Sequence, residues 1–173
     1  MRHRFTLLAI AALAIGGCAS MESAGPKAFA QLKPTAGNQA GGTVSFEQRG
    51  GKTVITAEVR GLKPNSEHGF HVHERGDCSA PDAMSAGGHF NPKSAPHGNH
   101  AAGSHHVGDM PNLKADANGL AKLVWEDDDF TVTDGPNSVV GKAVVVHRDP
   151  DDYKSQPAGN SGPRIACGVI SRN

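Results

Sequence analysis

The 173-residue sequence predicts an all-β domain, built as an antiparallel β-sandwich or flattened barrel. Short segments in which polar and apolar residues alternate recur along the chain, and turn residues separate them. Helical periodicity is absent. Two long stretches rich in Gly, Pro and Asn interrupt the strands, and loops of this length in a compact domain are usually functional or disordered.

The alternation of polar and apolar residues, together with the turns between the segments, predicts the individual strands. Residues 54–59 are rich in β-branched side chains, which favour a pleated sheet. Arg49-Gly50-Gly51 predicts a hairpin turn that joins this strand to the preceding one. The predicted strands cover residues 29–33, 42–48, 52–59, 69–74, 119–126, 130–132, 139–146 and 165–171, and the two long loops cover residues 75–111 and 148–163.

Histidines are concentrated in one part of the chain. Nine of the ten lie between His68 and His147. His71 and His73 stand two positions apart on a predicted strand, so both imidazoles project from the same face. A single histidine in a strand is commonly a satisfied polar residue, and a purely structural role is the alternative interpretation. The cluster favours a metal site, for which imidazole is a common ligand.

The first 17 residues predict a lipoprotein signal peptide. Two arginines precede an apolar stretch at residues 5–15, which is too short to span a bilayer as a helix. Ile15-Gly16-Gly17-Cys18 resembles the bacterial lipobox, in which the cysteine is lipidated and anchors the mature protein to a membrane. Residues 18–27 then form a flexible tether, and residues 28–173 form the folded domain.

The predicted signal peptide and lipobox indicate a periplasmic protein. Its only expected attachment to the outer membrane is a lipid on Cys18. The alternative is cleavage at a nearby small residue, which would give a soluble periplasmic protein. Removal of residues 1–17 takes away Arg2 and Arg4, so 17 basic residues become 15 against 17 acidic ones, a formal charge of about −2. A nucleic-acid-binding surface usually shows as a strong positive charge, so no nucleic-acid partner is expected.

The remaining cysteines, Cys78 and Cys167, fit the same compartment. In an oxidising environment the pair favours a disulfide that closes a loop of 167 − 78 = 89 residues. The chain-entropy model gives such a bond about 4 to 5 kcal/mol of stabilisation. Two free buried thiols are the alternative.

Six sequence blocks occur in order between residues 69 and 170. They are Gly69-Phe-His-Val-His-Glu74, Gly88-His-Phe-Asn-Pro92, His97-Gly98, His106-Val-Gly-Asp109, Val144-Val-Val-His147 and Arg164-Ile-Ala-Cys-Gly-Val-Ile170. Together they resemble the Cu,Zn superoxide dismutases, and the match runs through about residues 28 to 173. The resemblance implies an eight-stranded antiparallel Greek-key β-sandwich or flattened barrel with two long functional loops. It also implies an enzyme that converts superoxide to oxygen and hydrogen peroxide and protects the cell envelope from extracellular superoxide.

The resemblance also implies two metals that share one ligand. Copper is expected at His71, His73, His89 and His147. Zinc is expected at His89, His97, His106 and Asp109. Four imidazoles suit copper, and three imidazoles with a carboxylate suit a closed tetrahedral zinc site. His89 would bridge the metals and deliver a proton during the second half of the cycle.

Several further roles come from the same resemblance. Arg164 is expected to dock the superoxide anion, because a guanidinium stays charged at any physiological pH. Asp151 is expected to link a copper ligand to a zinc ligand by accepting hydrogen bonds from both. His68 is expected to support its strand and to bind no metal. Lys93 and Lys154 are further candidates for steering the anion.

Three residues have open assignments. His105 precedes His106 directly, and His106 is chosen as the ligand because Val-Gly-Asp follows it. His100 and His105 then face solvent or recruit metal. Trp125 either lies in the core or contacts a second subunit, so both a monomer and a homodimer are compatible with the sequence.

A non-catalytic copper or zinc binding protein on the same fold is the second functional hypothesis. It predicts loss of a copper ligand or of Arg164, and the sequence retains both. A copper chaperone related to this family would also carry an added Cys-x-x-Cys site, which the sequence lacks. A purely structural lipoprotein leaves the order of the histidines unexplained.

Overall fold

The computed structural model describes residues 25–172, and this part of the chain is almost entirely β-structure. The predicted signal peptide, Cys18 and most of the predicted tether lie outside the described residues. Within residues 25–172, no helix combines the length and apolar character needed to cross a membrane. A single 3₁₀ turn, Met84–Ala86, is the helical element of this part of the chain.

Seven strands form one curled sheet in the order β5-β8-β9-β1-β2-β3-β7, and β4 pairs with β6 in a separate two-stranded sheet. All pairs between these strands are antiparallel. The strands are β1 (Lys27–Pro34), β2 (Gly41–Arg49), β3 (Lys52–Arg60), β4 (Glu67–His68), β5 (Phe70–His73), β6 (Leu113–Lys114), β7 (Ala121–Asp127), β8 (Ala143–His147) and β9 (Arg164–Val169).

Strand β1 connects the two halves of the curled sheet. Its residues 27–32 pair with β2, whereas Lys33 and Pro34 pair with β9. Ala28, Ala30 and Leu32 point inward and are buried, as the alternation in the sequence requires. The sheet therefore curls around the main hydrophobic core, which includes Val44, Phe46, Ile55, Phe70, Val144, Val146 and Ile170.

The predicted strand at residues 69–74 is interrupted in the structure. Gly69 separates β4 from β5, and its N–H donates to the carbonyl of Asp149. A Cβ at Gly69 would lie 2.6 Å from Oγ of Ser161, so the second long loop passes directly over this point. If β4 and β5 are counted as one interrupted strand, the nine strands of the described residues become the eight that the family resemblance implies.

The prediction of a strand at residues 130–132 is wrong. The carboxylate of Asp127 accepts the backbone N–H groups of Asp129 and Phe130, which turns the chain at the end of β7. The apolar residues Phe130 and Val132 are buried as the pattern indicates, but they enter the core from a loop. Strand β6 was not predicted, because two residues are too short to show an alternation.

The two long loops lie where the sequence places them. Loop A, residues 74–112, connects β5 to β6, and loop B, residues 148–163, connects β8 to β9. Because β5 and β8 are antiparallel neighbours, loop A leaves the sheet beside the start of β8, whereas loop B leaves it beside the start of β5.

Candidate metal centre

Strands β5 and β8 supply three of the histidines. His71 and His73 lie on β5 and are fully buried, and His147 is the last residue of β8. The antiparallel register pairs Phe70 with Val146, so His147 lies beside the start of β5. Loop B begins at the next residue, and His147 therefore stands where sheet and loop meet.

Loop A extends the sheet along the free edge of β5. The N–H of Phe90 donates to the carbonyl of Val72, and the N–H of Val72 donates to the carbonyl of Gly108. A Cβ at Gly108 would lie 2.2 Å from the oxygen of Val72, so this close approach requires glycine. These contacts set His89 opposite His73, and Asp109 opposite His71.

Two groups of buried side chains result, and they share His89. In each group the candidate ligand atoms all lie within 4.8 Å of one another. The first group, called group 1, contains His71, His73, His89 and His147; the second, called group 2, contains His89, His97, His106 and Asp109. The structure thus brings together the eight ligand positions expected from the sequence, with His89 counted in both groups.

Backbone carbonyls orient two rings of group 1. Nδ1 of His73 lies 2.9 Å from the carbonyl of Gly87, and Nδ1 of His147 lies 3.0 Å from the carbonyl of Gly162. A carbonyl can only accept, so each Nδ1 carries the proton and each Nε2 keeps its lone pair. The two Nε2 atoms are 3.4 Å apart, so both are close enough to bind the same ion.

Asp151 joins the two groups, as the sequence comparison anticipated. Its Oδ2 accepts from Nε2 of His71 at 2.8 Å, and its Oδ1 accepts from Nε2 of His97 at 2.9 Å. Although burial opposes its ionisation, the hydrogen bonds from the two rings hold the pKa of Asp151 well below its ordinary value. In both rings this arrangement leaves Nδ1 as the atom that faces a metal group.

Group 2 is organised around the carboxylate of Asp109. Its oxygens lie 2.8 Å from Nδ1 of His89, 3.0 Å from Nδ1 of His97 and 3.4 Å from Nδ1 of His106. Despite burial, the three neighbouring rings hold the pKa of Asp109 far below its ordinary value. For His97 burial also opposes the charged form, but the carboxylates of Asp109 and Asp151 raise its pKa to about 9.

The donor set fits metal ions. Within residues 25–172, five buried ring nitrogens have no partner in hydrogen-bond geometry, and four of them belong to the two groups: Nδ1 of His71, Nε2 of His89, Nδ1 of His97 and Nδ1 of His106. The last two lie close to the carboxylate of Asp109, but not in the geometry of a hydrogen bond. A buried polar atom without a partner is costly, and a bound cation would satisfy all four. Burial lowers the pKa of His89 to about 3, so this ring is neutral and able to bind metal.

Arg164 lies at the edge of group 1 and is half-buried. Its guanidinium donates to the carbonyls of Ala83 and Gly87 in loop A, at 2.7 and 2.6 Å. The carbonyl of Gly87 also accepts from His73, so one oxygen links the arginine to a ring of group 1. A guanidinium has five N–H groups, and those that remain can contact an anion.

The disulfide predicted between Cys78 and Cys167 is confirmed, with a Cα–Cα distance of 5.8 Å. It attaches the start of loop A to β9, three residues after Arg164. The bond and the arginine therefore hold the same part of loop A against the sheet.

The remaining predicted residues lie outside both groups. His68 is buried and contacts the carbonyl of His147 through Nδ1, which agrees with a supporting role. The ring of His100 packs edge-on against Trp125, and Trp125 in turn packs on the core residue Phe130. Nδ1 of His105 donates to the carbonyl of His106. Lys93 is paired with Asp129, and its steering role stays a prediction.

Two residues that sequence reasoning missed connect loops A and B. The side-chain amide of Asn112 bonds to the backbone of Asp151, and the side-chain amide of Gln156 bonds to the backbone of His97. Neither residue belongs to a sequence pattern of metal ligands. A hydrogen bond from a side-chain amide to a distant backbone group produces no periodicity and no characteristic residue spacing in the sequence.

The fold and the site define a β-sandwich protein with two adjacent histidine-rich metal groups that share a ligand. The copper/zinc superoxide dismutase family model matches residues 40–170. Superoxide dismutase [Cu-Zn] 2 of Aquifex aeolicus is 43% identical over 148 residues, which cover 83% of this chain and 86% of that protein. The chain therefore belongs to the copper/zinc superoxide dismutase family, and copper and zinc are the metals that its two groups fit.

Two solved structures support the fold. One is the clock protein EA4, with a TM-score of 0.78 and 37% identity, covering 87% of this chain and 97% of that one. The other is a double mutant of a SOD-like protein from Bacillus subtilis, with a TM-score of 0.74 and 35% identity, covering 83% of this chain and 96% of that one. The predicted sandwich is thus confirmed by structures of similar proteins as well as by the strand order.

Proposed function

We propose that the protein dismutates superoxide, with copper bound by group 1 and zinc bound by group 2. The observation that carries the proposal is His89, which belongs to both groups: its Nε2 has no hydrogen-bond partner, and its Nδ1 lies 2.8 Å from Asp109. Four imidazoles suit copper, whereas three imidazoles and a carboxylate form the closed set that zinc prefers. Family membership supports the same reaction.

Bound copper would supply the one-electron chemistry by which one superoxide ion is oxidised to oxygen and another, with two protons, is reduced to hydrogen peroxide. The chain itself attracts the anion and holds protons. Arg164 stays charged although burial lowers its pKa from the ordinary value. Nε2 of His89 is an atom at which the chain can hold a proton for the peroxide, because no protein group bonds to it.

The test is metal analysis of the purified protein combined with a superoxide assay, before and after selective removal of copper. We expect one copper and one zinc per chain, and activity that disappears with copper and returns when copper is restored. A protein that binds both metals but shows no dismutation would instead be a metal-binding protein without this activity.

Arg164→Ala should lower the dismutation rate about tenfold, because the edge of group 1 loses the charge that attracts superoxide. The rate of the variant should also depend less on ionic strength, since salt screens the attraction between the arginine and the anion. Arg164→Lys is the matched control, because it retains the positive charge but not the pair of carbonyl contacts. A rate and a salt response equal to the parent protein in Arg164→Ala would contradict the steering role.

We further propose that the protein works in the periplasm, attached to the outer membrane through lipid on Cys18, where it protects the envelope from extracellular superoxide. The lipobox-like Ile15-Gly16-Gly17-Cys18 supports the anchor. The disulfide between Cys78 and Cys167 supports an oxidising compartment, because such bonds are rare in the cytosol.

Cys18→Ser should move the protein from the membrane fraction to the soluble periplasmic fraction, because the variant has no thiol to acylate. Cell fractionation followed by immunodetection measures the change. Cys78→Ser is the control for general effects of cysteine loss, since it should stay in the membrane fraction. Membrane retention of Cys18→Ser would argue against lipidation.

A further inference from the structure

His97 is held in group 2 through its backbone as well as through its ring. The N–H of His97 donates to Oε1 of Gln156 at 2.9 Å, and Nε2 of Gln156 donates to the carbonyl of His97 at 2.8 Å. One side-chain amide thus satisfies both backbone groups of one residue. In the described part of the chain, no other group bonds to the N–H or the carbonyl of His97.

We propose that Gln156 is a positioning residue for zinc: by clamping the backbone of His97, it slows the release of zinc from group 2. The inference rests on the proposed assignment of zinc to that group. His97 lies in loop A outside every strand, so no ladder of backbone hydrogen bonds fixes it. The clamp replaces that ladder with two bonds from loop B.

Two residues of loop B hold His97 by hydrogen bonds. Oδ1 of Asp151 accepts from its ring at 2.9 Å, so Asp151 and Gln156 hold its side chain and its backbone respectively. Both partners belong to loop B. Nδ1 of the same ring lies 3.0 Å from the carboxylate of Asp109, which is another member of group 2. Three hydrogen bonds from loop B therefore fix the direction in which Nδ1 of His97 faces group 2.

Loop B can act as a support because loop A anchors it in return. The side-chain amide of Asn112 donates to the carbonyl of Asp151 and accepts from its N–H, both at 2.9 Å. A Cβ at Gly159 would lie 1.7 Å from Oδ1 of Asp151, so loop B is packed tightly against this carboxylate. The two amide clamps are reciprocal, because Asn112 of loop A holds the backbone of Asp151 and Gln156 of loop B holds the backbone of His97. The two residues that they hold are joined by the hydrogen bond between Asp151 and His97.

The chemistry of the clamp is specific to an amide. Gln156 must accept with one atom and donate with the other, which a carboxylate or an apolar side chain cannot do. The side chain of Gln156 lies on the surface of loop B. None of its hydrogen bonds reaches Asp151 or the side chain of a candidate ligand. Substitution of Gln156 therefore removes the clamp without replacing any candidate ligand.

The test compares zinc release from Gln156→Met, Gln156→Glu and the parent protein. Met has a similar length without polar atoms, and Glu keeps the acceptor but sets a carboxylate against the carbonyl of His97. Each protein is loaded with zinc alone, and release to a chromophoric chelator is followed over time. Loss of two neutral hydrogen bonds is expected to accelerate release about tenfold or more in both variants. Lys154→Ala, which changes an exposed side chain of the same loop, should release zinc at the parent rate.

A second measurement separates positioning from general loss of structure. Cobalt(II) bound in place of zinc gives a visible spectrum that reports ligand geometry, and we expect this spectrum to change in both Gln156 variants. Parent-like release and a parent-like cobalt spectrum in Gln156→Met would overturn the proposal. If the parent protein itself bound no zinc, the metal assignment would fail instead, and the zinc content of the parent protein distinguishes the two failures.

Discussion

His147→Ala is expected to abolish dismutation while the domain stays folded and retains zinc. The substitution removes one of the four imidazoles of group 1 and none of group 2. Loss of a residue that only orients a metal ligand typically lowers metal affinity or activity 10- to 100-fold, so loss of a ligand should cost more than about 100-fold. The expected result is a protein with one zinc per chain, little copper and no measurable activity.

The variant also breaks the bond between His147 and the carbonyl of Gly162, which holds the end of loop B near the site. His100→Ala is the matched control, since it removes a histidine that belongs to neither group. It should keep both metals and the parent rate. Activity in copper-loaded His147→Ala would contradict the assignment of copper to group 1.

Parts of the structure with a regular period could be predicted from the sequence. In β1 the buried residues Ala28, Ala30 and Leu32 alternate with exposed ones, and the strand was predicted within two residues of its observed ends. The prediction at residues 130–132 was wrong because Phe130 and Val132 are buried from a loop, and burial alone does not define a strand.

The candidate metal ligands were found for a different reason. His71 and His73 share a face because of the strand period, but His89, His97 and Asp109 are spread over an irregular loop. No local rule brings them together, and only their order, compared with a known family, predicted the two groups. The structure supplies the cause: loop A pairs with the edge of β5 through Phe90 and Gly108.

The bonds that support the ligands could not be predicted in the same way. Asp151 was expected from its spacing after His147, whereas Asn112 and Gln156 were not expected at all. Both use an amide side chain to satisfy backbone groups of a residue at least 39 positions away. Amides are common on surfaces, so these partners become recognisable only when the loops are seen side by side.

Replacing both Cys78 and Cys167 by serine is expected to lower the free energy of unfolding by about 4 to 5 kcal/mol. The disulfide closes a loop of 89 residues, and opening it restores conformational freedom to the unfolded chain. That loss is a large fraction of the stability of a typical domain, which is about 5 to 15 kcal/mol. Urea denaturation of the metal-free protein, with and without the substitutions, measures the change.

The same substitution should also weaken copper binding, because the disulfide holds the part of loop A that orients His73. The carbonyl of Gly87 accepts from His73 and from Arg164, so its position depends on how firmly loop A is attached to β9. Cys18→Ser leaves the bond intact and should unfold like the parent. A double variant within about 1 kcal/mol of the parent protein would show that Arg164 and its two carbonyl contacts hold loop A without the disulfide.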